Sequence, residues 1–322
     1  MYPRHHSDDP DLWCRANDPA WLKGGRKRPP VPEVRSPTLR RRELGAFLRS
    51  RRLELGLTVE QVAERLLCSP SKVSRMETGQ RGATQRDVRD LCDLYVIASA
   101  GERERLMTLA KEGKQQGWWQ SHDVPDEFRT YLDLEQDAIA LRTYQSTTVP
   151  GLLQTPEYVR EMSNVLVPEV SAETVNDLVG VKLLRQGRLA SKSPLPLSVI
   201  LDEAVLHRVV GGPGVMGAQL ERMVEATRIH SVTIEVIPYK AGAHPAMDST
   251  FTILDFTDPV PSVVYVEGLV GYIYLERPQD VARYEYVFDQ LKSLALSPQD
   301  SAELIAKVGA DYRRAEADAI VT

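Results

Sequence analysis

Cysteine is scarce: the 322 residues hold three, at positions 14, 68 and 92, odd in number and with no CxxC pair. That excludes a disulfide framework and a zinc site, and leaves Cys68 and Cys92, placed where a small apolar residue would do, as buried free thiols. Long hydrophobic runs are missing too. No stretch approaches the ~18 apolar residues that a membrane helix needs, so no membrane partner is expected. The start, MYPRHHSDDP, lacks the apolar core of a secretory signal, and a cytoplasmic protein is expected. Catalytic signatures are also missing. There is no P-loop, HExxH or GxSxG, and His207, His230 and His244 are scattered without ligand spacing. GGPG at 211–214 lacks the spacing of a dinucleotide loop and reads as a turn that starts a helix at Val215. No metal, cofactor or enzymatic activity is expected.

What is present is an uneven charge. Residues 1–120 hold 23 of the 40 Lys and Arg but only 16 of the 45 Asp and Glu, so a basic beginning precedes an acidic remainder. Between Arg26 and Arg52 there are ten basic residues and two acidic ones, Glu33 and Glu43. A local polyanion site is the functional reading of such a bias, and a solvated linker is the bland one. Residues 1–37 carry seven prolines and little periodicity, the composition of a disordered basic arm.

From Leu39 the pattern turns helical, with Leu44, Phe47 and Leu48 on one face and Gly56 as a stop. Thr58 caps TVEQVAERL, with Gln61 placed for a capping box. Ser69 caps a third helix, with Pro70 at its first position and Gly79 closing it. A fourth helix is expected over about 84–95 and a fifth over about 101–118. The third helix, SPSKVSRMETG, has only Val73 and Met76 for a core, while Ser71, Lys72, Ser74 and Arg75 face outward. Only Leu67 and Cys68 separate it from the second helix, which is the spacing of a helix-turn-helix. In that geometry Ser71, Lys72, Ser74 and Arg75 would face base edges, with Arg75 suited to a guanine. Lys72 is also placed, with Arg81 and Arg86, for phosphate; Ser69, Arg40, Arg41 and Arg42 complete the expected phosphate and arm contacts.

The run LGAFLRSRRLELGLTVEQVAERLLCSPSKVSRMETGQRG resembles the Xre, or phage-repressor, type of helix-turn-helix over about residues 39–96. The resemblance implies a five-helix, lambda-repressor-like domain and an ion pair between Arg52 and Glu77 that orients helices. It departs in two places. Val59 stands where the family usually has a DNA-contacting glutamine, and Leu67 stands where the turn usually has glycine. A leucine with positive φ is strained, so a reshaped turn is expected.

Beyond Trp119, helices are expected at about 126–143, 156–166, 171–190, 203–209, 214–229, 278–295 and 298–317. Strands are expected at LSVILD, VTIEVIPY, FTILDF, SVVYVE and GYIYLE. Their order predicts an α+β domain with a mostly antiparallel sheet. Tyr284, Tyr286, Phe288 and Leu291 could form a dimer face or core. YLDLEQDAIALRTYQSTTVPGLLQTPEYVREM, DEAVLHRVVGGPGVMGAQLERM and IEVIPYKAGAHP resemble the C-terminal domain of actinobacterial WhiJ-like regulators. That likeness implies control by a small partner protein encoded nearby. Within these segments Glu135, Arg142, Tyr144, Gln154 and Glu267 could line an effector pocket, or could satisfy buried backbone around VPGLLQT.

The combined reading is an arm at 1–37, a helix-turn-helix domain at 38–119 and an effector and dimerisation domain at 120–322. The expected function is that of a homodimeric, sequence-specific transcriptional regulator binding a double-stranded DNA operator. A small partner protein or a small-molecule effector would control it. The rivals are an antitoxin-like module that sequesters a partner, and an enzyme localised by its DNA-binding part.

Overall fold

The computed structural model describes residues 36–115, 126–166, 171–268 and 271–321. The expected arm falls almost wholly outside them. Two compact units form, and they do not follow chain order: 36–142 packs with 248–290, and 143–247 packs with 291–321.

In the first unit five helices follow one another: α1 Pro37–Glu54, α2 Val59–Arg65, α3 Pro70–Glu77, α4 Gln85–Leu94 and α5 Ala100–Glu112. Each opens on a residue that supplies an oxygen to an orphan amide. Ser36, Thr58, Ser69, Thr84 and Ser99 accept from Leu39, Gln61, Lys72, Asp87 and Glu102, and Thr58 and Thr84 complete reciprocal capping boxes. The stops are equally local. α2 and α4 end in Schellman turns, in which Cys68 N donates to Ala63 O and Ile97 N to Cys92 O. The left-handed residues in these turns are Leu67 (φ 52°) and Val96 (φ 54°), not glycines. Leu67 therefore takes the strained conformation itself and the turn is not reshaped. Leu44, Leu48, Val62, Val73, Leu91 and Leu106 fill the core between the helices. Full burial of each such side chain is worth roughly 1.5–3 kcal/mol.

The same unit contains α6 Asp126–Asp137, the strands β4 Phe251–Asp255, β5 Val263–Gly268 and β6 Gly271–Leu275, and most of α11 Pro278–Leu294. β4 pairs antiparallel with β5 (Ile253↔Val264) and β5 with β6 (Val266↔Ile273). Tyr284 and Phe288 of α11 set their rings edge-on to Phe251, while Tyr286 is exposed. Of the four candidate dimer-face residues, Phe288 and Leu291 are buried in the core, Tyr284 is half-buried and Tyr286 is exposed.

The helix expected over 126–143 ends at Asp137, and Ala140–Gln145 is a strand, β1. In the six-strand order β3-β2-β1-β4-β5-β6 it lies between β2 and β4. Pairing within a sheet overrides the weak local preference of ALRTYQ.

The second unit holds α7 Pro156–Leu166, α8 Ala172–Gln186, β2 Leu197–Asp202, α9 Ala204–His207, α10 Pro213–Ala226, β3 Val232–Ile237 and α12 Pro298–Val321. β2 and β3 run parallel, from Leu197↔Val232 to Asp202↔Ile237, so the sheet is mixed. The free side of β3 is covered: Val236 donates to Ser301 Oγ (2.9 Å) and accepts from Leu296 N (2.8 Å). GGPG starts α10 at Pro213, two residues before the expected Val215, with Gly212 as N-cap.

Candidate nucleic-acid interface

Helices α2 and α3 are joined by the turn at Leu66–Ser69. On α3 the side chains of Val73, Met76 and Glu77 are buried, while Ser71, Ser74 and Arg75 are exposed beside the capping Ser69. Arg75 Nε donates to Ser71 O at 3.3 Å, laying the side chain along its own helix; no other partner engages it among the described residues. Arg81 is exposed past the helix end, and Arg86 is exposed on α4, 3.7 Å from Asp90.

Lys72 differs from its neighbours. Its Nζ lies 2.6 Å from Asp87 Oδ1, the carboxylate that also caps α4 through Thr84 N. Burial pushes the Asp87 carboxyl up, but the Lys72 ammonium and the Thr84 amide and hydroxyl outweigh it and hold its pKa below the usual value. Lys72 thus joins α3 to α4.

Three expected arm contacts are engaged inside the unit. Arg40 pairs with Glu112 at 3.0 Å. Arg41 donates to Gly113 O and to Thr38 Oγ1, and burial lowers its pKa. Arg42 is buried against Glu276 at 2.9 Å. RRR in one helical turn points three ways, and each side chain meets an acceptor that lies elsewhere in the chain.

What holds α3 in place is unusually direct. Arg52 Nε and Nη2 grip Glu77 Oε1 and Oε2 at 2.7 and 2.9 Å, and Arg52 Nη1 donates to Leu57 O at 2.8 Å. The Glu77 hydrogen bond raises the Arg52 pKa above its ordinary value. Beside them, burial raises the Tyr95 phenol. At Gly45 of α1 a Cβ would stand 2.5 Å from Met76 O and 2.6 Å from Glu77 O. At Gly79 (φ 71°) it would stand 2.7 Å from Arg42 Cγ and 2.9 Å from Arg42 Cα. The end of α3 therefore rests directly on α1. Val59 is half-buried against the same core.

α1 is in turn tied to α6 and β6, a connection without a local sequence signal. Ser36 N donates to Asp137 Oδ2 and Thr38 Oγ1 to Asp133 Oδ2, both at 2.7 Å.

The five candidate effector residues divide between the units. In the first unit Glu135 is buried and Glu267 exposed, and Arg142 bridges Asp255 (3.1 and 2.8 Å) and Glu285 (2.8 Å). Burial works against the Arg142 charge, but the two carboxylates hold its pKa above the ordinary value. In the second unit Tyr144 Oη lies 3.3 Å from His244 Nε2, which is 3.5 Å from Asp202 Oδ2. Ala246 N donates to His244 Nδ1, so the ring proton of neutral His244 sits on Nε2. Gln154 Nε2 donates to Val149 O, and Gln186 Nε2 donates to Gln154 O, both at 2.7 Å. Gln219 adds bonds from Thr155 N and to Leu153 O. Gln154 thus satisfies backbone around the irregular VPGLLQT stretch. Among the described residues no group of three or more His, Cys, Asp and Glu could hold a metal ion, and no helix is long and apolar enough to cross a membrane.

Helices α2 and α3 with the turn between them have the form of a helix-turn-helix, and residues 43–106 match a family described as a helix-turn-helix domain, which supports a DNA-binding regulator. Residues 128–307, more than half of the chain, match the family described as domain of unknown function DUF5753, and the chain belongs to it. Neither the curated proteins nor the solved structures yield a match.

Proposed function

We propose that the protein is a sequence-specific transcriptional regulator of the Xre kind that binds its operator as a homodimer. The observation that carries this reading is the exposed row Ser69, Ser71, Ser74 and Arg75 on a helix whose other face is locked to α1 by Arg52–Glu77 and two glycine contacts. A rigidly presented helix N-terminus with hydroxyl and guanidinium donors suits base edges in a major groove. Arg81 and Arg86 flank it as phosphate contacts. Arg40, Arg41 and Arg42, with their internal partners, are left out of the DNA contact.

Dimerisation follows from the short reach of one recognition helix, since helix-turn-helix proteins gain specificity from two half-sites. The C-terminal region would act without catalysis, as a receiver for a small partner protein or a small ligand in the cytoplasm. Its likeness to the C-terminal domain of WhiJ-like regulators supports that role. A signal there would act by favouring one orientation of the recognition helices.

The test is selection of genomic DNA fragments by the purified protein, repeated with Arg75→Ala. The reading expects a roughly palindromic motif that Arg75→Ala alters at one position of each half-site. General, salt-sensitive binding with no motif would overturn it.

A further inference from the structure

The recognition helix is held by more than its own helical bundle. The chain of contacts starts at Gly79, directly after α3, where the backbone lies against Arg42 so closely that no side chain would fit. Arg42 is buried, and its guanidinium crosses to Glu276, directly after β6, at 2.9 Å. Neither Arg42 Nε nor Glu276 Oε1 has a hydrogen-bond partner among the described residues, so the two are joined as an ion pair in a buried site. One turn earlier on α1, Thr38 Oγ1 bonds Asp133 of α6, and the helix cap itself, Ser36, bonds Asp137.

We infer that Arg42 is a positioning residue for DNA recognition, tying the end of the recognition helix to β6 so that the sheet sets the angle at which α3 is presented. The inference rests on the proposed DNA-binding role and adds to it the route by which the family domain acts on the reading head. A guanidinium between two elements transmits their relative position because neither charge can be left alone in a buried site without a large penalty. If β6 shifts, Arg42 follows Glu276 or loses it, and the contact with Gly79 carries the change to α3. Burial pushes the Glu276 carboxyl up, and the Arg42 and Arg49 charges act against it.

The test uses the full chain with Glu276→Gln, which keeps the shape and removes the charge, and Glu276→Asp, which keeps the charge and shortens the reach. Arg103→Ala is the control. It removes bonds to Ile97 O and Asp93 at the α4–α5 junction and lowers stability without touching β6. Affinity is measured for the selected operator and for unrelated DNA at several salt concentrations, beside thermal unfolding. Glu276→Gln is expected to lower the ratio of operator to unrelated affinity by about tenfold, the loss from one misplaced base contact, with an unchanged salt slope. Glu276→Asp is expected to fall between it and the wild type, and Arg103→Ala to keep the wild-type ratio. An unchanged ratio in folded Glu276→Gln or Glu276→Asp, or an equal loss in Arg103→Ala at matched stability, would overturn the inference. Absence of selective binding by the wild-type chain would instead overturn the DNA-binding reading itself.

Discussion

Lys72 and Asp87 meet at 2.6 Å across the junction of α3 and α4, and the same carboxylate closes the capping box of α4. A lysine on the second helix of the helix-turn-helix thereby braces α3 against α4. Lys72→Met is expected to destabilise the first unit by about 1 kcal/mol at neutral pH, as both groups are only partly exposed. The effect has a definite sign with pH. Asp87 is held below its ordinary pKa, so its contribution is present above about 3.9, the unfolded value, and is lost as pH falls through the lower folded value. Urea unfolding of wild type and variant should differ at pH 7 and converge as the pH falls below the folded value. A difference that persists in acid would remove the ion pair as its cause.

Arg52→Ala breaks a buried, bidentate pair and leaves Glu77 without its countercharge. A loss of about 3 kcal/mol is expected, read as a lower urea midpoint at unchanged slope. Unaltered stability with lost DNA binding would make Arg52 a DNA contact instead.

Backbone conformation supplies a pair of opposite predictions. Leu67 is 94% exposed at φ 52°, so Leu67→Gly gives up little packing and relieves left-handed strain. A gain of about 0.5–1 kcal/mol is expected after allowing for the added flexibility of the unfolded chain. Gly45→Ala drives a methyl into the carbonyls of Met76 and Glu77 and should destabilise by about 2 kcal/mol. Calorimetry of both variants tests the geometry, and melting shifts of the same sign would contradict it.

Arg81→Ala and Arg75→Ala test the proposed division between phosphate contact and base reading. Arg81→Ala should weaken operator and unrelated DNA alike and reduce the salt slope by about one. Arg75→Ala should cost about 1–3 kcal/mol at one operator position and relax sequence preference there. Titrations over a salt series distinguish them, and identical profiles would erase the division of roles.

The sequence by itself determined what short-range chemistry decides. Thr58 and Ser69 cap the helices they precede because a side-chain oxygen reaches an amide only three residues on. Ser36, Thr84 and Ser99 cap theirs in the same way, although Ser36 reads as part of the arm. The spacing of two helices and the outward row on α3 were legible for the same reason, as was an acidic residue at Glu77 opposite Arg52 through family likeness. Only the tertiary structure decided the rest. ALRTYQ reads as the end of a helix and becomes a strand between two others, because sheet partners distant in the chain outweigh local propensity. Arg40, Arg41 and Arg42 read as a basic patch, yet their acceptors are Glu112, Gly113 and Glu276, residues no window along the chain could pair with them. Whether a charge serves a ligand or the fold depends on which acceptor folding brings within about 3 Å, and that distance belongs to the tertiary structure.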